Sequence, residues 1–118
     1  MPTHIGTYYS LIQIQKRDER ANVGVVLFCP SQKILLTRVH VNLNRLNNFF
    51  GEQMDWAVEH ISAVAYRLNH GTFSTRTQLD DWINKRGNDI VLTPLRFIKF
   101  SCSFEEELEK LLVECVSN

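Results

Sequence analysis

Glu19, Arg20 and Asn22 are the side chains of this sequence whose types and spacing are best suited to binding chemistry. Arg20 carries a planar guanidinium that fits a carboxylate or a phosphate, and Glu19 could form an ion pair with it. Asn22 could close the loop by a hydrogen bond to its own backbone. Together with Arg38, these residues form the predicted binding set. The alternative is a solvated hairpin turn whose ion pairs contribute about 0–1 kcal/mol each.

Metal and covalent chemistry have weaker support in the sequence. The four histidines do not pair with one another or with cysteine at the spacing of metal ligands; they are His4, His40, His60 and His70. Cys102 precedes Ser103 at a predicted helix N-terminus, which can lower a thiol pKa, but a small core residue is the favoured interpretation. No glycine-rich phosphate loop or nucleophile elbow occurs. The sequence therefore predicts no metal and no cofactor, assigns no catalytic residue, and leaves enzyme activity open, with a non-enzyme favoured.

Arginine and aromatic side chains could bind single-stranded nucleic acid by stacking on its bases. The residues concerned are Arg17, Arg20, Arg38, Arg45, Arg67 and Arg96, with Tyr8, Tyr9, Phe49 and Phe50. However, thirteen basic residues are balanced by thirteen acidic ones, whereas nucleic-acid-binding domains usually carry a basic excess. Nucleic acid is therefore not favoured as a partner.

Strands are predicted at both ends of the charged segment 16–22. Residues 8–15 mix aromatic and β-branched residues, and residues 23–29 are continuously apolar except for Gly24, which indicates a central strand covered on both faces. A turn at 30–33 leads into a third strand at 34–41. Short connections favour an antiparallel meander. Residues 90–100 return to strand character, and Pro94 predicts an edge position or a bend there.

Apolar residues at helical spacing predict the remaining elements. A short helix at 44–50 precedes a long amphipathic helix from 54 to 68 that stops near Gly71. A further short helix is expected at 77–85, closed by a turn at 86–88. Ser103 and Glu106 form a capping-box pattern that begins a C-terminal helix. The sequence therefore predicts one α+β domain over residues 1–118, with a small, mainly antiparallel sheet of about four strands packed by the long central helix and the C-terminal helix.

The cellular location that we expect rests on the absence of membrane-spanning, secretory and disulfide patterns in the sequence. No run approaches the about 18 apolar residues that span a bilayer, and the first residues do not resemble a secretory signal. Three widely spaced cysteines do not suit a disulfide framework. We therefore expect a soluble cytoplasmic protein that does not act on a membrane. The predicted edge strand at Pro94 makes a homodimer conceivable.

The first part of the sequence contains the run 9–13, the motif Glu-Arg-x-Asn-Val-Gly at 19–24 and the apolar strand that continues to Phe28. Together these stretches resemble the opening of a bacterial family catalogued as domain of unknown function 3037. The run 89–96 and the acidic-apolar C-terminal helix resemble the end of that family. The resemblance implies an accessory protein, encoded in some relatives beside HipA-like kinases, and it names no catalytic residue.

The interpretation favoured by the sequence is a non-enzymatic interaction domain of a bacterial or mobile-element system, with another protein as its partner, a HipA-like kinase being one candidate. Its contact face would carry Glu19, Arg20 and Asn22. The alternative is a small enzyme or a nucleotide or nucleic-acid binder that uses the same loop.

Overall fold

Five antiparallel strands form one sheet in the computed structural model, which describes residues 4–85 and 89–116. The strands are β1 (His4–Lys16), β2 (Glu19–Cys29), β3 (Ile34–Val39), β4 (Ile90–Leu92) and β5 (Arg96–Phe100). Their order is β3-β2-β1-β4, and β5 pairs with the other end of β1, on the same side as β4. A 3-10 turn at Pro30–Gln32 joins β2 to β3. The antiparallel meander predicted for the first three strands is confirmed.

Helices cover both faces of this sheet. They are α1 (Leu43–Phe50), α2 (Asp55–His70), α3 (Arg76–Asn84) and α4 (Phe104–Cys115). The first three pack on one face and enclose the larger core cluster, while α4 packs on the opposite face over a second cluster. The α+β class and the packing of a long helix and a C-terminal helix on the sheet are therefore confirmed. The turn expected at 86–88 lies outside the described residues.

Strand β2 is the centre of the core. Every residue from Val23 to Cys29 is buried. Val26 and Phe28 belong to the cluster under α1–α3, whereas Val25 and Leu27 belong to the cluster under α4. The strand is therefore covered on both faces, as its continuous apolar sequence predicted.

A β-bulge lies where β2 first becomes fully buried. Ile12 of β1 pairs with Gly24, but the next residue, Gln13, pairs with Asn22, so β2 holds one extra residue at this point. A Cβ atom on Gly24 would lie 2.9 Å from Val39 Cγ1 and 3.0 Å from Ile12 Cδ1. It would also lie 3.0 Å from the carbonyl oxygen of Arg38. Glycine is therefore needed here because three strands approach one another closely.

The segment 90–100 is interrupted at Pro94. The sequence predicted a single strand with an edge position or a bend, and the structure has two short strands on the outer side of β1, separated by residues 93–95. Thr93 maintains contact with β1 across the break: its amide donates to the Leu11 carbonyl at 3.0 Å, and its Oγ1 accepts from the Leu11 amide at 2.8 Å. The sheet consequently has five strands, slightly more than expected.

Hydrogen bonds from side chains define the helix starts. Ser103 Oγ accepts from the Glu106 amide at 3.1 Å, which is one of the two bonds of the predicted capping box and confirms the predicted start of α4. Helix α3 begins with a complete capping box between Thr75 and Gln78, which the sequence prediction did not identify. Asn47, near the end of α1, accepts from the Met54 amide at 2.7 Å and so caps the start of α2.

Replacing Gly24 by alanine should destabilise the fold by about 1–3 kcal/mol, because the new methyl group must displace β1 or β3. Chemical denaturation monitored by circular dichroism measures the change. Val39→Ala removes the nearest contact, so the double variant should lose less stability than the sum of the two single variants. Two results would contradict this account: stability losses of the two single variants that add exactly in the double variant, or a Gly24→Ala protein as stable as wild type. Either result would show that β1, β2 and β3 can move apart at Gly24 without loss of stability.

Candidate functional site

The predicted binding loop is the tip of the β1–β2 hairpin. Residues 17 and 18 form the turn, and Glu19 and Arg20 begin β2 directly opposite Lys16 and Gln15. Both predicted binding side chains are exposed. Lys16 forms an ion pair with Glu52, in the segment between α1 and α2, which ties the end of the hairpin to the helical layer. The charged side chains of the hairpin tip are therefore open to solvent, while the end of the hairpin is held in place by the Lys16–Glu52 ion pair.

The turn itself carries backbone strain. Arg17 has a φ of 57°, a conformation that side chains with a Cβ rarely adopt. Two-residue hairpin turns usually place glycine or asparagine where φ is positive. Strain of this kind is frequent at functional loops and is maintained only because the surrounding structure imposes it. Here the paired strands on both sides of the turn impose it.

Asn22 links the sheet to the end of α4. Its Oδ1 accepts from Gln13 Nε2 at 2.8 Å, and its Nδ2 donates to the carbonyl oxygen of Cys115 at 2.9 Å. The last carbonyls of a helix have no partner within the helix. Arg45 from α1 donates to the next such carbonyl, that of Val116. Asn22 and Arg45 therefore close the C-terminus of α4 from two different elements.

Arg38 has a different partner on the same helix. Its guanidinium forms an ion pair with Glu109, and the two side chains are 45% and 49% exposed. A pair so open to solvent contributes about 0–1 kcal/mol. The ion pair nevertheless engages the Arg38 guanidinium, which the sequence predicted to bind a ligand.

The four predicted binding residues do not converge on one point. Asn22 meets α4 at Cys115 and Arg38 meets it at Glu109, which are about 9 Å apart at 1.5 Å per residue. Glu19 and Arg20 point into solvent at the hairpin tip. A binding role for Glu19 and Arg20 therefore remains a prediction, whereas Asn22 and Arg38 have intramolecular partners.

The structure assembles an exposed aromatic cluster that sequence analysis missed. Phe97 on β5 is 68% exposed and pairs in register with Tyr8 on β1, with ring centroids 4.6 Å apart. Arg76 Cζ, at the start of α3, lies 4.8 Å from the Tyr8 ring centroid and 5.6 Å from that of Phe97. Asp80 holds Arg76 from one helical turn away, at 3.3 Å. We call Tyr8, Arg76 and Phe97 the aromatic–arginine cluster.

Nothing in the sequence placed these three residues together. The sequence shows Tyr8 as one of several aromatic residues, but its partner on β5 depends on strand register. Arg76 depends on where α3 begins, which the prediction placed at residue 77 instead of 76. A capping-box search at Thr75 would have supplied the second of these facts.

The three cysteines lie in different surroundings. Burial raises the pKa of Cys29, but the Ser31 hydroxyl, 3.4 Å from its sulfur, and nearby backbone amides outweigh this effect, so the pKa is lowered. Cys29 is nevertheless fully buried and inaccessible. Burial and the Glu114 carboxylate raise the pKa of Cys115. Cys102 is half-buried, with Lys110 Nζ 3.9 Å from its sulfur.

Ring contacts surround the two histidines of α2. His70 stacks on Tyr66 at 3.9 Å, and its Nδ1 lies 2.9 Å from the Tyr66 carbonyl oxygen at the end of the helix. His60 packs edge-on against Trp56. Over residues 4–85 and 89–116, no group of three histidine, cysteine or acidic side chains could hold a metal ion. In the same ranges no helix has the length and apolar character needed to cross a bilayer.

An open cleft of about 290 Å³ lies between the end of α2 and α3. Its walls include Tyr66, Arg67, Phe73 and Trp82. Phe73 and Trp82 also pack against the main core cluster. A cleft of this volume is at the small end for a ligand site, and the positions of Phe73 and Trp82 are explained by core packing.

Asn22→Ala should destabilise the protein by about 1–2 kcal/mol, since it leaves the Cys115 carbonyl without its partner. Asn22→Asp should cost more at neutral pH, because it removes the donor and places a negative charge at the negative end of α4. Its pKa should be raised in the folded state, so the lost stability should return as pH falls and the carboxyl regains a proton. Denaturation at several pH values measures this, with exposed Asn69→Ala as the control. Equal stability of the two Asn22 variants at neutral pH would contradict the helix-closing role.

Arg17→Gly should raise stability by about 0.5–1 kcal/mol, because glycine adopts positive φ without a steric cost. Asp18→Gly, the neighbouring turn position where φ is not positive, should be neutral or slightly destabilising. Paired thermal melts compare the two variants. A lower melting temperature for Arg17→Gly would show that the Arg17 side chain stabilises the turn by more than its strain.

Comparison with known proteins adds one finding. No curated protein and no solved structure matches the chain. The family model described as Protein of unknown function (DUF3037) matches residues 9–116, which is most of the 118 residues. The chain therefore belongs to this family.

Proposed function

We propose that this protein is a non-enzymatic interaction domain that binds a partner protein through the aromatic–arginine cluster. The observation that carries the proposal is the exposure of Phe97, 68% of whose surface is open to solvent although it lies within a paired strand. Large exposed apolar side chains beside polar residues are typical of protein contact sites. Family membership supplies no activity that would point elsewhere.

The cluster has the composition and rigidity of an interface hot spot. Tyrosine and arginine are enriched among residues that dominate binding energy, and such residues act best when they are already fixed in position. Tyr8 is half-buried in the sheet, Arg76 is held by Asp80, and both contact Phe97. Little conformational entropy is therefore lost when a partner covers these side chains.

The aromatic residues and arginine could also stack on nucleic acid, but two observations favour protein. The guanidinium of Arg76 already lies over the Tyr8 ring, so that ring face is not open to a base. The formal net charge is zero, which gives no long-range attraction to phosphate. A HipA-like kinase is one candidate partner, and it rests on the family resemblance alone.

The hairpin tip is a separate surface. Along β1, Tyr8 and Lys16 are eight residues apart, about 26 Å at 3.3 Å per residue. Glu19 and Arg20 therefore lie far from the centre of a contact built on Phe97. An enzyme or nucleotide binder built on the loop would need these side chains to converge with Asn22 and Arg38, whose polar groups have partners on α4.

Phe97→Ser should remove the partner on co-purification from the native host and weaken its affinity by about 2 kcal/mol, roughly 30-fold. The matched control is Phe49→Ser, a second exposed phenylalanine at 48%, on α1. Quantitative mass spectrometry of the bound proteins compares wild type with both variants. Equal partner sets for wild type and Phe97→Ser would overturn the proposal.

Arg20→Ala belongs in the same experiment, because it tests the surface that the sequence predicted. We expect this variant to retain both the partner and the wild-type stability, since Arg20 is exposed. Loss of the partner with Arg20→Ala alone would move the contact surface to the hairpin tip.

A further inference from the structure

The outer edge of β5 is open to strand addition. β5 pairs with β1 on one side, and among the described residues no strand pairs with its other side. An edge strand presents a row of backbone amides and carbonyls with unused hydrogen-bonding capacity. An extended peptide can satisfy these groups by adding one more strand to the sheet.

The opposite edge of the sheet is less accessible. On β3, Leu35 and Val39 pack against the cluster under α1–α3, while Ile34 and Leu36 pack against the cluster under α4. Helices therefore flank β3 on both faces. On β5, by contrast, three of the five residues are exposed: Arg96, Phe97 and Lys99. Of the three described strands whose outer side is unpaired, β5 carries the most exposed side chains, since β3 has one and β4 has none.

Side chains along β5 alternate between the two faces of the sheet. Phe97 lies on the α3 face with Tyr8, and Lys99 follows on the same face. Ile98 lies on the α4 face, where it packs with the second core cluster, and Arg96 shares that face. Each face of the edge thus offers one cation and one apolar side chain.

We propose that β5 binds an extended segment of a partner protein with the pattern acidic-apolar-apolar-acidic, which adds as a strand beside residues 96–99. The two carboxylates lie opposite Arg96 and Lys99, and the two apolar side chains lie opposite Phe97 and Ile98. The pattern reads the same in both directions, so it fits parallel and antiparallel addition. This inference rests on the proposed function and specifies the chemistry of the partner.

The same charges oppose pairing of β5 with a second copy of itself. Such pairing would place two Arg96 and two Lys99 side chains on neighbouring strands with no carboxylate among residues 96–100, and like charges close to one another across strands are destabilising. Natural edge strands use lysine and nearby proline to prevent this kind of association, and Pro94 lies just before β5. The basic residues thus disfavour self-pairing and favour an acidic strand.

The test uses two synthetic hexapeptides, Thr-Glu-Val-Val-Glu-Thr and Thr-Lys-Val-Val-Lys-Thr, both blocked at their ends and labelled for fluorescence anisotropy. We expect the acidic peptide to bind wild type at least about tenfold more tightly than the basic peptide. N-methylation of alternate backbone amides in the acidic peptide should abolish binding, because it removes the ladder hydrogen bonds. Hydrogen exchange should show added protection within residues 96–100.

A charge exchange separates strand addition from general attraction. The double variant Arg96→Glu with Lys99→Glu should reverse the preference and bind the basic peptide more tightly. A matched double variant at exposed sites away from β5, Lys33→Glu with Arg67→Glu, should keep the wild-type preference. Since all four side chains are exposed, these variants should fold.

Each outcome decides the inference. Equal binding of the two peptides, or an acidic preference that survives the β5 charge exchange, overturns it. Two further results would assign the edge to another occupant and also overturn the inference. One is binding of an oligouridine by wild type that is abolished by the β5 charge exchange, and the other is dimerisation of wild type in analytical sedimentation. If no peptide binds but Phe97→Ser still loses its cellular partner, strand addition fails while the proposed function stands.

Discussion

The burial of β2 on both faces is the constraint on which the rest of this structure depends. The seven residues from Val23 to Cys29 are all buried, and each large apolar side chain removed from water contributes about 1.5–3 kcal/mol. A strand of this composition cannot lie at the surface of a sheet with one open face. It requires helices above and below, and the chain supplies three before β4 and one after β5. The late position of α4 in the sequence means that the second face is covered only when the C-terminus returns to the middle of the sheet.

That return is secured by polar contacts at the end of α4. The helix has no basic residue in its last turn and no glycine cap, so its final carbonyls depend on other elements. Asn22 and Arg45 supply the donors from β2 and α1. The bulge beside Asn22 explains how this is possible, because an extra residue changes which way the following side chains point. Asn22 can then face α4 while the tight approach at Gly24 is maintained on the other side of the sheet.

Local sequence patterns predicted most of the helices and strands, but they could not predict contacts between residues far apart in the sequence. The apolar run of β2, the helical period of α2 and the Ser103–Glu106 pair are signals within a few residues, and each was confirmed. Pro94 predicted a disturbance, but the length of the break depends on how Thr93 contacts Leu11, 82 positions away. For the candidate site, the sequence identified Asn22 as a polar residue of interest but proposed a bond to its own backbone. Its main partner lies 93 positions away at Cys115, and no spacing rule reveals such a pair.

The same architecture underlies the proposal that binding concentrates at β5. β2 has strand partners on both sides and helices on both faces, and β3, although it is an edge strand, has helices packed on both faces. The outer side of β1 is instead covered by two short strands, because Pro94 cannot donate to a continuous ladder. The second of these strands lies at the margin of α3 and ends the sheet. An exposed phenylalanine there contributes little to folding, because it stays in water in the folded as in the unfolded chain. Burial of that side chain by the proposed partner would supply this hydrophobic free energy, which favours the least protected part of the sheet as the place for recognition.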